Sequence, residues 1–248
     1  MANRKISFAP DEYYHLYNRG TNRGKIFLDK KDYIRFEKSL FLLNSTSGVK
    51  FSDINPSLTW IFNRKETLVD IGAYCLMPNH FHILVRVKTD KGTSTFMQKL
   101  LTSYSMYFNI KHKRTGGLFE GTFKSEHINN DRYLKYLFSY IHLNPVKIIQ
   151  DDWKTTGVRN LSLAKKYLDN YTYSSYADYA LSDQRVQGLI LNKNAFPKYF
   201  ESKRSFADFI KDWLTVSATH GSTTQVQQVQ VKPGHGGYRY KRGESYDP

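Results

Sequence analysis

Cysteine is nearly absent. The 248-residue chain has one, Cys75, so no intrachain disulfide can form, and a reducing compartment is expected. Long apolar runs are missing as well. No stretch approaches the roughly 20 residues that a membrane-spanning helix needs, and the opening MANRKISFAPDE lacks the apolar segment of a secretion signal. Acidic side chains are few beside basic ones, 22 against 37, which leaves a formal charge of +15. Such an excess is an argument about partners: nucleic acid first, an anionic membrane surface as the competitor. What the chain does contain is 40% hydrophobic and 15% aromatic residues, enough to build a core and to exclude global disorder. The expectation is a cytoplasmic, nucleoid-associated protein that binds nucleic acid and no membrane.

Taken in order, residues 13–18 (YYHLYN) have strand propensity. A basic, glycine-containing loop follows, with Arg19, Gly20, Arg23 and Gly24. Asp29 is placed to cap a helix whose apolar residues Tyr33, Phe36, Leu40 and Leu43 recur at spacings of three and four. Residues 44–66 are polar and irregular and read as an inserted loop. Two strands, 68–77 and 80–87, meet at a Met77-Pro78-Asn79 turn. A second helix is predicted over 95–113, closed by Gly116-Gly117. A strand over 122–128 precedes a third helix, capped by Asp131 and ended by Pro145. The first six elements give an α+β fold, a ferredoxin-like βαββαβ antiparallel sheet, with the third helix as an extra element. The expected divisions are a sheet domain over 1–150, a small helical appendage over 151–216 and a basic, disordered tail over 217–248.

Within YCLMPNHFHILVRV (74–87), His80 and His82 flank Phe81. Alternate residues of a strand share a face, so two imidazoles stand side by side there. The pair is either half of a divalent metal site or two half-buried histidines of a sheet. The third helix carries Tyr133, Leu137, Tyr140 and Asn144 on one stripe and Leu134, Phe138 and Ile141 on the flank that docks on the sheet. Lys135, Ser139 and His142 are predicted to face away. Spacing alone does not choose Tyr140 over Tyr104, Tyr107 or Tyr136 as a reactive residue. His112, His127 and His142 remain secondary metal or base candidates, and His15 either shares the sheet face with the pair or is an ordinary polar strand residue.

Four blocks, YHLYNRG (14–20), AYCLMPNHFHILV (73–85), YSMYFNIKHKRTGGLFEGTFKS (104–125) and YIHLNPVK (140–147), resemble in order and spacing the REP-associated tyrosine transposases. These are relatives of the small single-tyrosine transposases of bacterial insertion sequences. The resemblance implies a catalytic domain of the HUH class, named for its His–hydrophobic–His pair. It assigns His80 and His82 as metal ligands, Tyr140 as nucleophile and Asn144 as third ligand, where related transposases often have glutamine. The insertion at 44–66 and the C-terminal extension lie outside the matching blocks.

The reaction so implied is nicking and strand transfer of hairpin-bearing single-stranded DNA through a 5′-phosphotyrosine, with Mg²⁺ or Mn²⁺. The protein would act as a monomer or as a homodimer that exchanges the tyrosine helix. Arg19, Arg23, Lys111, Lys113, Arg114 and Lys124 are the candidate phosphate contacts, each otherwise an ordinary solvated charge. The competing readings are a domesticated, non-catalytic binder of hairpin or single-stranded nucleic acid, and a metal-dependent phosphodiesterase that uses water.

Overall fold

The computed structural model describes residues 7–181 and 184–219. Residues 1–6, part of a 1–12 stretch that reads from sequence as a short arm, and 220–248 of the expected tail lie outside these. Four strands, β1 (Tyr13–Arg19), β2 (Val69–Met77), β3 (His80–Val87) and β4 (Lys124–Ile128), form one sheet in the order β2-β3-β1-β4. Every neighbouring pair is antiparallel. With helices α1 (Lys30–Leu42) and α2 (Gly92–Lys111) as crossovers, this is the predicted βαββαβ arrangement, and the fold class is α+β.

Strand parity divides the side chains between two cores. Tyr14, Leu16, Phe81, Ile83 and Tyr74 pack under Phe36, Leu40, Phe96, Leu100 and Tyr104 of α1 and α2. On the other face Ala73, Cys75, Leu84 and Ile128 meet Leu134, Leu137, Phe138 and Ile141 of α3 (Asp131–Leu143). Both faces are covered, so all nine residues of β2 are buried, and the sequence from Ile71 to Met77 carries no charged side chain.

The helix ends show local chemistry at work. Asp29 caps α1 in a capping box with Asp32. The cap of α3 is Asn130, not Asp131: Asn130 is extended and its Oδ1 accepts from the Tyr133 amide at 2.7 Å. Asp131 lies inside the helix, and its carboxylate accepts from the Tyr199 hydroxyl. The second helix starts at Gly92, three residues earlier than predicted. A Cβ there would sit 2.4 Å from the Leu68 carbonyl oxygen, so only glycine permits the approach. That helix ends through Lys113 in a left-handed conformation (φ 51°), ahead of the Gly116-Gly117 pair. The 44–66 insertion is held by Lys99, whose ammonium donates to the carbonyls of Ser45 and Ser47.

Beyond the sheet follow α4 (Val146–Ile149), α5 (Trp153–Thr156), α6 (Leu161–Asn170), α7 (Tyr176–Ala180) and α8 (Lys203–Thr219). The last of these runs through 217–219, the first residues of the expected tail. Leu143, Trp153, Leu168, Tyr176, Phe206 and Ile210 form a third core. Residues 173–175 run along β2, with the Leu76 amide donating to the Tyr173 carbonyl and the Ser175 amide to the Tyr74 carbonyl. The open edge of the sheet is thereby covered. This packing buries Ser139 and His142, which were expected to face away. His142 donates from Nδ1 to the Phe138 carbonyl at 2.7 Å and accepts at Nε2 from the Ser175 hydroxyl at 2.7 Å. The third helix has two buried sides because the C-terminal segments close over it.

Burial holds several imidazoles neutral. His142 is pushed down to about 3 from an ordinary 6.5. His15 falls by burial, against the pull of Glu126, and His82 falls well below 6.5 through burial, then its neighbours His15 and His80. As pH drops below about 6.5 the unfolded chain takes up these protons and the folded chain does not. Stability is therefore complete above that pH and lost progressively below it. Glu37, pushed up by burial to about 7, acts in the opposite sense between about 4.5 and 7. Three imidazoles against one carboxyl leave a net loss of stability as pH falls below about 6.5. Urea unfolding midpoints at pH 7.5, 6 and 5 should fall steeply with acidity, and a flat profile would contradict the assignment.

Candidate active site

The site is assembled from β1, β3 and α3. Its base is the turn before β3, where the Pro78 carbonyl accepts from the amides of Ile26 and Phe27, and the Asn79 carbonyl accepts from Gly20. The loop after β1 thus clasps the turn. A Cβ on Gly20 would lie 2.0 Å from the Gly24 oxygen, so the clasp requires glycine. Asn79 donates through Nδ2 to the Arg23 carbonyl, which turns its Oδ1 toward His80 Nδ1 at 2.7 Å. That contact puts the His80 proton on Nδ1 and its lone pair on Nε2.

His80 and His82 share a face as parity requires, with ring centroids 5.0 Å apart and planes at 83°. His82 is fully buried, and its Nδ1 lies 2.9 Å from His15 Nε2. The ring of Tyr140 stands edge-on to His82 with centroids 5.5 Å apart, and 5.9 Å from the ring of His15. One turn further along α3, Asn144 donates through Nδ2 to the Tyr140 carbonyl at 2.8 Å. Among the described residues, His82 Nε2 and Asn144 Oδ1 are buried without a hydrogen-bond partner, as are single side-chain atoms of Arg35, Thr93, Asp152 and Trp153 elsewhere. Orphaned buried acceptors cost free energy, on the order of 1–3 kcal/mol each. A bound cation is one way in which such an atom is satisfied. Among the described residues no group of three or more His, Cys, Asp or Glu side chains is placed to hold a metal.

Lys154 of α5 lies 4.3 Å above the centre of the Tyr140 ring. Together with Lys147 it adds positive field at His82. Both lysines escape sequence reasoning, since nothing in a four-residue helix tells where it folds back. His15 does share the face of the pair: Tyr17 pairs with His82, and His15 lies one alternation away on the same strand.

The predicted basic contacts divide. Arg19 pairs in register with His80, and Lys124 lies on β4 with its ammonium 6.0 Å from the Tyr17 ring. Arg23 sits in the clasping loop. All three are at the histidine end of the sheet, though the Arg19 guanidinium is already bonded to Glu120. Lys111, Lys113 and Arg114 belong to the end of α2, in the layer on the opposite face from Tyr140. Lys111 is bonded to both Asp29 and Asp32, and His112 also reaches Asp32. His127 faces Glu12 on that far side of the sheet, and His142 is locked in the third core.

A family model described as "Transposase IS200 like" matches residues 11–144, more than half of the chain. The chain belongs to that family. The match takes in His80, His82, Tyr140 and Asn144 and stops before Lys147 and Lys154. Membership of the IS200-like transposases gives the protein a transposase role, with DNA as partner. No curated protein matches the chain. Among solved structures it is similar to a REP-associated tyrosine transposase bound to a REP hairpin, at 13% identity and a TM-score of 0.47. That likeness covers 75% of this chain and 90% of the other. It is also similar to tRNA(His) guanylyltransferase from Saccharomyces cerevisiae, at 10% identity and a TM-score of 0.35, over 79% and 86% of the two chains. Likenesses this distant carry no argument about function. Among the described residues no helix is long and apolar enough to cross a membrane.

Proposed function

We propose that this IS200-like transposase cuts and rejoins single-stranded DNA through a covalent link to Tyr140, with Mg²⁺ or Mn²⁺ held by His80, His82 and Asn144. The observation that carries the reading is the unpartnered buried Nε2 of His82, whose ring meets the Tyr140 ring edge-on, together with the unpartnered Oδ1 of Asn144 one turn further along the same helix. Neutral imidazoles and a carbonyl oxygen form a weak, exchangeable cage for such ions. When bound, the ion supplies Lewis-acid polarisation of the phosphate and stabilises charge on the leaving oxygen.

The remaining steps belong to the protein. The Tyr140 oxygen forms a bond to phosphorus while the bond from phosphorus to the 3′-oxygen breaks. The phenolic proton leaves through solvent, and the 3′-oxygen takes one up. The product is a 5′-phosphotyrosine and a free 3′-OH, and attack by that or another 3′-OH reverses the step without ATP. Asn144 ties the cage to the nucleophile through its bond to the Tyr140 carbonyl. Lys154 holds the phosphate against the Tyr140 ring, a donor aimed where charge develops. Lys154→Ala should slow single-turnover cleavage about 10- to 100-fold, with Lys154→Arg retaining most of the rate; equal rates in all three proteins would remove Lys154 from the site.

Hairpin-bearing single strands are the substrate class that the sequence blocks imply. The experiment is to incubate the protein with such oligonucleotides and Mn²⁺ and to look for an SDS-resistant adduct. A 3′-end label should travel with the protein and a 5′-end label should be released. Cleavage without an adduct would favour attack by water, and binding without cleavage would favour the non-catalytic reading.

A further inference from the structure

His82 is held by a residue outside the proposed cage. His15 is buried on β1, with its ring centroid 5.0 Å from that of His82 and 4.9 Å from that of Tyr17, the three forming a triangle closed by a 6.1 Å Tyr17–His82 separation. Across the β1–β4 pair its direct partner in register is Glu126. The two sides of this imidazole thus meet different groups: Nδ1 lies 4.0 Å from Glu126 Oε2, and Nε2 lies 2.9 Å from His82 Nδ1.

These contacts order the protons. At 4.0 Å the Glu126 carboxylate is beyond direct hydrogen-bond reach, but its charge favours an N–H on the nitrogen that faces it, so the single proton of neutral His15 belongs on Nδ1. Its Nε2 is then an acceptor, and His82 Nδ1 must donate to it. Neutral His82 has one proton, so its lone pair lies on Nε2, the buried atom that has no partner. The opposite order would leave His82 with a buried Nε2–H facing no acceptor and with no lone pair for a cation.

We propose that Glu126 and His15 are positioning residues that fix His82 in the tautomer able to bind metal, through the relay Glu126–His15–His82. The inference rests on the reading of His82 as a ligand and adds two residues to it. Partners behind a ligating histidine commonly change metal affinity 10- to 100-fold.

The test uses the full chain with ¹⁵N-labelled histidine and two readouts. Long-range ¹H–¹⁵N spectra of the metal-free protein, with His82 assigned by comparison with His82→Gln, should show the proton on Nδ1. Titration with Mn²⁺, followed by the EPR signal of the free ion, should show His15→Phe binding about 10- to 100-fold more weakly than the unaltered protein. His15→Gln, which places an acceptor oxygen near the position of Nε2, should bind within about threefold, and a purely structural role would not give that rescue. A proton on His82 Nε2, or Mn²⁺ affinity in His15→Phe within twofold of the unaltered protein, overturns the relay. Failure of the unaltered protein to bind Mn²⁺ refutes the metal reading instead, and the spectra still decide the tautomer.

Discussion

Tyr140→Phe is expected to abolish the covalent DNA adduct and to lower strand cleavage by about 10³-fold or more, equivalent to at least about 4 kcal/mol of transition-state stabilisation. The substitution removes one oxygen. It leaves the ring that packs edge-on against His82 and His15 and lies beneath Lys154, so DNA affinity should stay within about twofold. Residual cleavage by water at the same phosphate would persist only if the cage alone activates it. Denaturing gels of end-labelled oligonucleotides separate these outcomes. An adduct that survives in Tyr140→Phe would assign the link to another residue, with the half-buried Tyr136, 6.0 Å away between ring centroids, as the nearest alternative on the same helix.

The second large effect is at the histidine pair. His82→Ala should reduce Mn²⁺-dependent cleavage by about 10³-fold and also remove a response that needs no substrate. An ion that binds only the folded chain raises its stability, by about 2.7 kcal/mol at a concentration one hundred times its dissociation constant. For a chain of this size that amounts to roughly 5–10 °C in Tm. Mn²⁺ should therefore shift the melting of the unaltered protein and not that of His82→Ala. His142→Ala is the control, because this imidazole is equally buried but bonded to Phe138 and Ser175. It should lower Tm by loss of packing and retain the Mn²⁺ shift. A Mn²⁺ shift preserved in His82→Ala would move the metal elsewhere.

Which parts of this were legible in the sequence follows from how far apart the interacting residues lie. The hairpin of β2 and β3, the face shared by His80 and His82 and the Asp29 cap depend on neighbours, and local pattern chemistry found them. The cap of α3 was misplaced by one residue because Asn130 and Asp131 are both good caps, and only the extended backbone at 130 decides. Lys111 looked like any surface cation at a helix end, yet its partners Asp29 and Asp32 stand 82 and 79 residues away in the chain. His142 looked exposed because Ser175, which buries and bonds it, follows 33 residues later. His15 needed strand order as well as parity, since only the β1–β3 register places it against His82. Tyr140 could not be chosen among the tyrosines by spacing, and the resemblance in four blocks made that choice.

The measurement that bears most directly on the central arrangement is the anomalous diffraction of Mn²⁺ in crystals of the unaltered protein. A single strong peak is expected, bounded by His80, by Nε2 of His82 and by Oδ1 of Asn144, with the Tyr140 ring beside it. Manganese at another place, or crystals in saturating Mn²⁺ that leave His82 Nε2 and Asn144 Oδ1 without a ligand, would contradict the account.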